Sequence, residues 1–136
     1  MRAVLDPNVI ISGLLSPTGS PAALLRAWIN GAYELVVSPL LLEELARSLG
    51  YPKLAARVTP DEVQELVGLL RHEADLREDP GGLPPVQSSD PGDDYLLALA
   101  AAAQAVIVSG DRHLLELRGA APVYGAAEFL AMIEEG

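Results

Sequence analysis

Residues Ser88 to Asp111 read SSDPGDDYLLALAAAAQAVIVSGD, and the fold turns on this stretch. Asp90-Pro91 pairs an N-cap residue with a proline at the first helical position. Leu96, Leu97 and Ala100 then recur at helical spacing through an Ala-rich run, which predicts a buried helix. AVIVS (Ala105 to Ser109) follows at once. A continuous apolar run of this length is the pattern of a strand covered on both faces, as in a parallel sheet. A helix that returns as a parallel strand brings its own start and the strand's end to one edge of the sheet. That edge is expected to carry Asp90, Asp93 and Asp94 from the helix entrance and Asp111 from the strand exit.

Outward from this unit the same signals recur. Ser20-Pro21, Ser38-Pro39 and Thr59-Pro60 each mark a helix start ahead of an apolar run. Gly31, Gly50 and Gly119 sit where chains turn after helices. RAVL (Arg2 to Leu5) and YELVV (Tyr33 to Val37) read as strands, with ADLRE (Ala74 to Glu78) and PVY (Pro122 to Tyr124) as weaker candidates and the former at a sheet edge. Strands alternating with helices predict an α/β, three-layer domain, with a central, mainly parallel sheet flanked by helices. Residues 1–136 are expected to form this single domain. The one long loop, EDPGGLPPVQSSDPGDD (Glu78 to Asp94), is rich in Pro, Gly and Ser. At that length it is expected to be functional or disordered.

Composition narrows the chemistry. Half the residues are hydrophobic and only 4% aromatic, so the core must be built from Leu, Val, Ile and Ala. With no cysteine, disulfides, thiolate metal sites and cysteine nucleophiles are excluded. The N-terminal apolar run is broken by Asp6, Pro7 and Asn8, too early for a membrane helix or a signal peptide. The expectation is a cytoplasmic chain with no membrane contact. The net charge of −10 argues against stable nucleic-acid binding by an isolated monomer, because phosphate neutralisation supplies much of that affinity. Acids gathered in one metal site would count toward the same total.

Each candidate acid has an ordinary structural role beside the functional one. Asp6 follows the first strand and Asp111 follows AVIVS, where ligands bind in parallel sheets. Either could simply cap the short helix after it. Glu44 borders the apolar stripe of Leu41, Leu42, Leu45 and Leu49, and Glu43 lies about 100° further round, but helical glutamates are usually solvated. Asp93 leads Leu96, Leu97 and Ala100 and so faces inward, whereas Asp94 serves the helix dipole. Carboxylates that converge repel one another unless a cation holds them, and an oxygen-only set suits Mg²⁺ or Mn²⁺. His72 and His113 lie too far apart in sequence to suggest zinc. There is no GxxxxGK[ST] phosphate loop and no GxSxG nucleophile turn. Metal-assisted phosphoryl transfer is the chemistry left standing.

VLDPNVIISGLL, VSPLLLEELARSLGYPKL and DPGDDYLLALAAAAQAVIVSGDRHLLEL, in this order and spacing, resemble the PIN-domain family. Within it they most resemble the VapC-like branch of bacterial and archaeal toxins from toxin–antitoxin pairs. The resemblance runs from Arg2 to about Glu128. It implies four acids, Asp6 in a D-x-N motif, Glu44, Asp93 (with Asp94 as the alternative) and Asp111, acting as catalytic and metal-binding residues. Asn8 and Ser109 match the supporting polar residues. It further implies a Mg²⁺- or Mn²⁺-dependent endoribonuclease acting on RNA, held by a cognate antitoxin protein and assembled as a homodimer or higher homo-oligomer. The motif reads DPN where many members have DTN, and Ser109 stands where the toxins often have Thr; neither change removes an acid. The competing class is a non-catalytic PIN-like module that binds a partner protein, against which the four retained acids argue. Aspartate-nucleophile phosphatases and receiver domains usually need a catalytic lysine, and the only lysine here is Lys53.

Overall fold

The computed structural model describes residues 1–135. Five short strands form its centre: β1 (Arg2–Leu5), β2 (Glu34–Val37), β3 (Asp75–Leu76), β4 (Val106–Val108) and β5 (Val123–Tyr124). Their order across the sheet is β3-β2-β1-β4-β5, and every pairing is parallel. Eight helices flank them: α1 (Pro7–Leu15), α2 (Ser20–Ile29), α3 (Pro39–Leu49), α4 (Pro52–Ala55), α5 (Pro60–Glu73), α6 (Asp94–Ala103), α7 (Arg112–Leu115) and α8 (Ala126–Glu135). Beyond Arg2 the central strands β1 and β4 are apolar because both faces are covered: Ala3, Val4, Leu5, Ile107 and Val108 are all buried.

Register decides what meets at the carboxyl edge. Leu5 pairs with Val108, so the residues that follow, Asp6 and Ser109, leave neighbouring central strands side by side. The Asp6 N–H still donates to the Val108 carbonyl at 2.9 Å. α3 starts at this edge through Ser38, whose hydroxyl accepts the Leu41 N–H at 3.2 Å, and buries Leu41, Leu42, Leu45 and Leu49. α6 buries Leu96, Leu97, Ala98, Leu99, Ala100 and Ala103. Its alanines let so short a helix lie close over β1 and β4.

Three details differ from the sequence expectation. Ser20 is the first residue of α2 rather than its cap; Gly19, at φ 98°, takes the capping position, where a left-handed backbone favours glycine. Asp90-Pro91 heads a 3₁₀ turn (Pro91–Asp93), and α6 proper begins only at Asp94. β1 has the expected bounds, whereas the other four strands are shorter at their ends than the runs that announce them. Among the described residues no helix is long and apolar enough to cross a membrane.

Candidate active site

Asp6 and Asp111 perform the ordinary role and leave room for another. Asp6 Oδ1 accepts the Asn8 N–H at 3.0 Å and so caps α1, while Asp111 Oδ1 accepts the His113 N–H at 2.8 Å and caps α7. Ser109 joins the two. Its hydroxyl donates to Asp6 Oδ2 at 2.7 Å and accepts the Asp111 N–H at 3.0 Å, in complete burial. One buried hydroxyl thus ties the Asp6 carboxylate on one strand end to the Asp111 backbone beyond the next. Burial raises the Asp6 pKa, its two hydrogen bonds pull it back, and the Asp111 charge raises it again.

Asp93 lies in the same field. Its pKa is pushed up to about 6 by burial first, then by repulsion from Asp111, Asp90 and Asp6, with His113 acting in the opposite sense. Asp93 Oδ2 is buried and has no hydrogen-bond partner. Asp94 is committed elsewhere: its Oδ1 accepts the Ser88 N–H at 2.8 Å and fastens the long loop to the start of α6. The loop also reaches the site through Ser89, whose hydroxyl lies 2.9 Å from His113 Nδ1.

Glu44 is half-buried on α3 and is held by Arg47, one turn later; both its oxygens meet Arg47 Nη2, Oε2 at 2.6 Å. Its helix, α3, packs against α6. Tyr95, on α6, has its hydroxyl pKa raised by burial and then by the charges of Asp6, Glu44, Asp93 and Asp79. Asn8 contributes its backbone N–H, and its side chain is exposed. Ser109 thus joins Asp6 to the Asp111 turn, Asp93 lies within their field, Glu44 is held by Arg47 on α3, and Asp94 points into the loop. Sequence spacing did not reveal Tyr95, Arg47 or Asp79. The i,i+3 spacing of Glu44 and Arg47 is the signal that would have found that pair. Asp79, whose Oδ2 accepts the Leu40 N–H at 2.9 Å to cap α3 from a distant loop, had no local signal.

The chemistry of this donor set suits a hard divalent cation. It offers oxygen only, its charges repel, and one buried oxygen lacks a donor. Among the described residues, however, no three His, Asp or Glu side chains are gathered closely enough to share one ion. Glu44 is drawn to its arginine.

A five-stranded parallel sheet with acids at its carboxyl edge defines the class, and comparison with known proteins gives the family. Residues 2–113 match the PIN domain, and the chain belongs to that family. Among solved structures, the fold is similar to that of VapBC2 from Rickettsia felis, solved bound to a DNA fragment from their promoter (TM-score 0.63, 12% identity, 92% of this chain and 98% of that one). It is also similar to a PilT N-terminus domain protein from Sulfolobus solfataricus (TM-score 0.59, 18% identity, 100% and 96%) and to FitAcB from Neisseria gonorrhoeae (TM-score 0.57, 18% identity, 92% and 98%). No curated protein matches the chain.

Proposed function

We propose that this PIN domain is a Mg²⁺- or Mn²⁺-dependent endoribonuclease and the toxin of a toxin–antitoxin pair. The observation that carries the proposal is the buried Asp6–Ser109–Asp111 linkage beside Asp93, with its orphaned Oδ2, at the carboxyl edge of the sheet. Asp6, Asp93 and Asp111 would hold the ion by drawing together from their present, ungathered positions, with Glu44 joining once released from Arg47. A bound divalent ion supplies Lewis acidity at the phosphate and a more acidic water. The chain's own part is orientation. Ser109 fixes Asp6 against Asp111, and the two cap hydrogen bonds fix each carboxylate relative to its strand. Family membership supports nuclease chemistry. The likeness to VapBC2 and FitAcB favours a protein antitoxin as partner. Homo-oligomerisation is proposed as the way so acidic a chain would bring arginines of two copies to one groove. Light scattering at micromolar concentration tests the assembly.

The deciding experiment incubates the protein with RNA and DNA, with and without Mn²⁺. Cleavage of RNA should require the ion, vanish in Asp6→Asn and Asp93→Asn, and survive largely intact in Asp94→Asn. Wild-type protein inert under all these conditions would favour a non-catalytic, partner-binding module. The Glu44–Arg47 pair and the ungathered acids give that second function its specific support.

A further inference from the structure

A site built from acids must still receive a polyanion, and the chain has only nine Lys and Arg residues to help it. Most are occupied. Arg2, Arg77 and Arg118 pair with Glu34, Asp75 and Glu128. Arg26 and Arg57 donate to the Pro17 and Leu15 carbonyls. Arg112 lies 3.8 Å from Glu116 on its own short helix. Arg47 differs in both place and use. It is the partner of Glu44, on the helix α3 that packs against α6. Only its Nη2 is engaged, by Glu44. Among the described residues Nε and Nη1 donate to nothing, so an exposed guanidinium keeps a free donor edge of the geometry that recognises phosphate.

We propose that Arg47 is a positioning residue with two partners. In the closed pair it holds Glu44 away from the three aspartates and competes with the divalent ion for that carboxylate. With substrate present, its free edge takes the phosphodiester. The inference rests on the nuclease function proposed above. An exposed i,i+3 pair is weak enough to exchange in this way.

The test compares Arg47→Gln with Arg71→Gln, which removes the same charge from an exposed position on α5. Mn²⁺ binding is measured by calorimetry without RNA, and RNA cleavage at saturating Mn²⁺. In Arg47→Gln, Mn²⁺ should bind about two- to fivefold tighter, because the competing cation is gone. KM for RNA should rise about tenfold, as expected for a lost charged hydrogen bond. With kcat within about twofold of wild type, the loss would be one of binding rather than chemistry. The salt dependence of KM should fall by roughly one phosphate contact, about 0.7 in the log–log slope. Arg47→Lys should recover the salt slope but only part of KM. Unaltered circular dichroism and melting temperature would show that the fold is intact. The inference is overturned if wild type binds Mn²⁺ and cuts RNA while the two glutamine variants behave alike, or if Arg47→Gln binds Mn²⁺ more weakly. Wild-type protein that neither binds Mn²⁺ nor cuts RNA overturns the nuclease function itself, and this inference with it.

Discussion

Ser109 ties two strand ends together through a single buried hydroxyl. One hydroxyl supplies a donor to a buried carboxylate and an acceptor to the Asp111 N–H. Ser109→Ala should cost about 1–3 kcal/mol in urea unfolding, because it leaves both groups short of a partner. It should also raise the Asp6 pKa further, since the hydroxyl is one of the bonds holding it down. Asp93 makes the opposite contribution. It titrates near 6 in the folded chain against 3.8 for the free group. Between those values the folded state keeps a proton that the unfolded chain has released. The stability due to this group is therefore present below the unfolded value and lost as pH rises through the folded one. Asp6 shifts in the same direction. In EDTA, the urea midpoint should rise as pH falls from about 7 to about 5, and Asp93→Asn should flatten that slope. A variant with the wild-type slope would show that Asp93 is not the titrating group.

At the scale of elements, start signals were legible where the cap and the proline act on one turn. Ser38-Pro39 and Thr59-Pro60 cap α3 and α5 as their residues suggest, Thr59 with a full capping box to Glu62. Ser20-Pro21 slipped by one because the preceding glycine took the non-helical conformation, a choice spacing alone does not encode. The inward tilt of Asp93 relative to Asp94 was legible from the apolar stripe of α6. The 3₁₀ turn that delivers it was not, since Asp90-Pro91 opens either kind of helix. Glu44's position on the border of a stripe was legible too; its rotamer, chosen by Arg47, was not. The α1–α2 corner supplies a test of packing against propensity. Alanine for Gly13 gains about 1 kcal/mol of helix propensity in an open helix. Here its Cβ would lie 2.7 Å from Leu25 Cδ1 and 2.9 Å from the Pro21 carbonyl oxygen. Leu25 can turn aside, but the Pro21 backbone cannot without moving α2. Gly13→Ala should therefore destabilise by about 1–3 kcal/mol in the same assay, and a stabilised variant would mean that the corner is loose.

Across the whole molecule, the net charge of −10 is unevenly relieved. Glu34, Glu44, Asp75, Glu116 and Glu128 have cationic partners, whereas among the described residues Asp6, Asp93 and Asp111 are in no ion pair. These three also repel one another at the sheet edge, and two kinds of cation should act on that repulsion differently. Sodium screens every exposed charge over a Debye length of about 10 Å at 0.1 M, without needing a particular carboxylate. A site-bound divalent ion stabilises only the folded state, by mass action, about 2.7 kcal/mol at a hundredfold excess over Kd. For a chain of this length that is a rise of roughly 8 °C in melting temperature. Millimolar Mn²⁺ should therefore raise the melting temperature of the wild type well beyond what NaCl of equal ionic strength achieves. Asp6→Asn should keep the NaCl response and lose most of the Mn²⁺ response, because it removes a ligand but leaves the overall charge nearly as negative. An equal Mn²⁺ shift in both proteins would place the ion elsewhere on this acidic surface and leave the Asp6–Ser109–Asp111 linkage as a capping device alone.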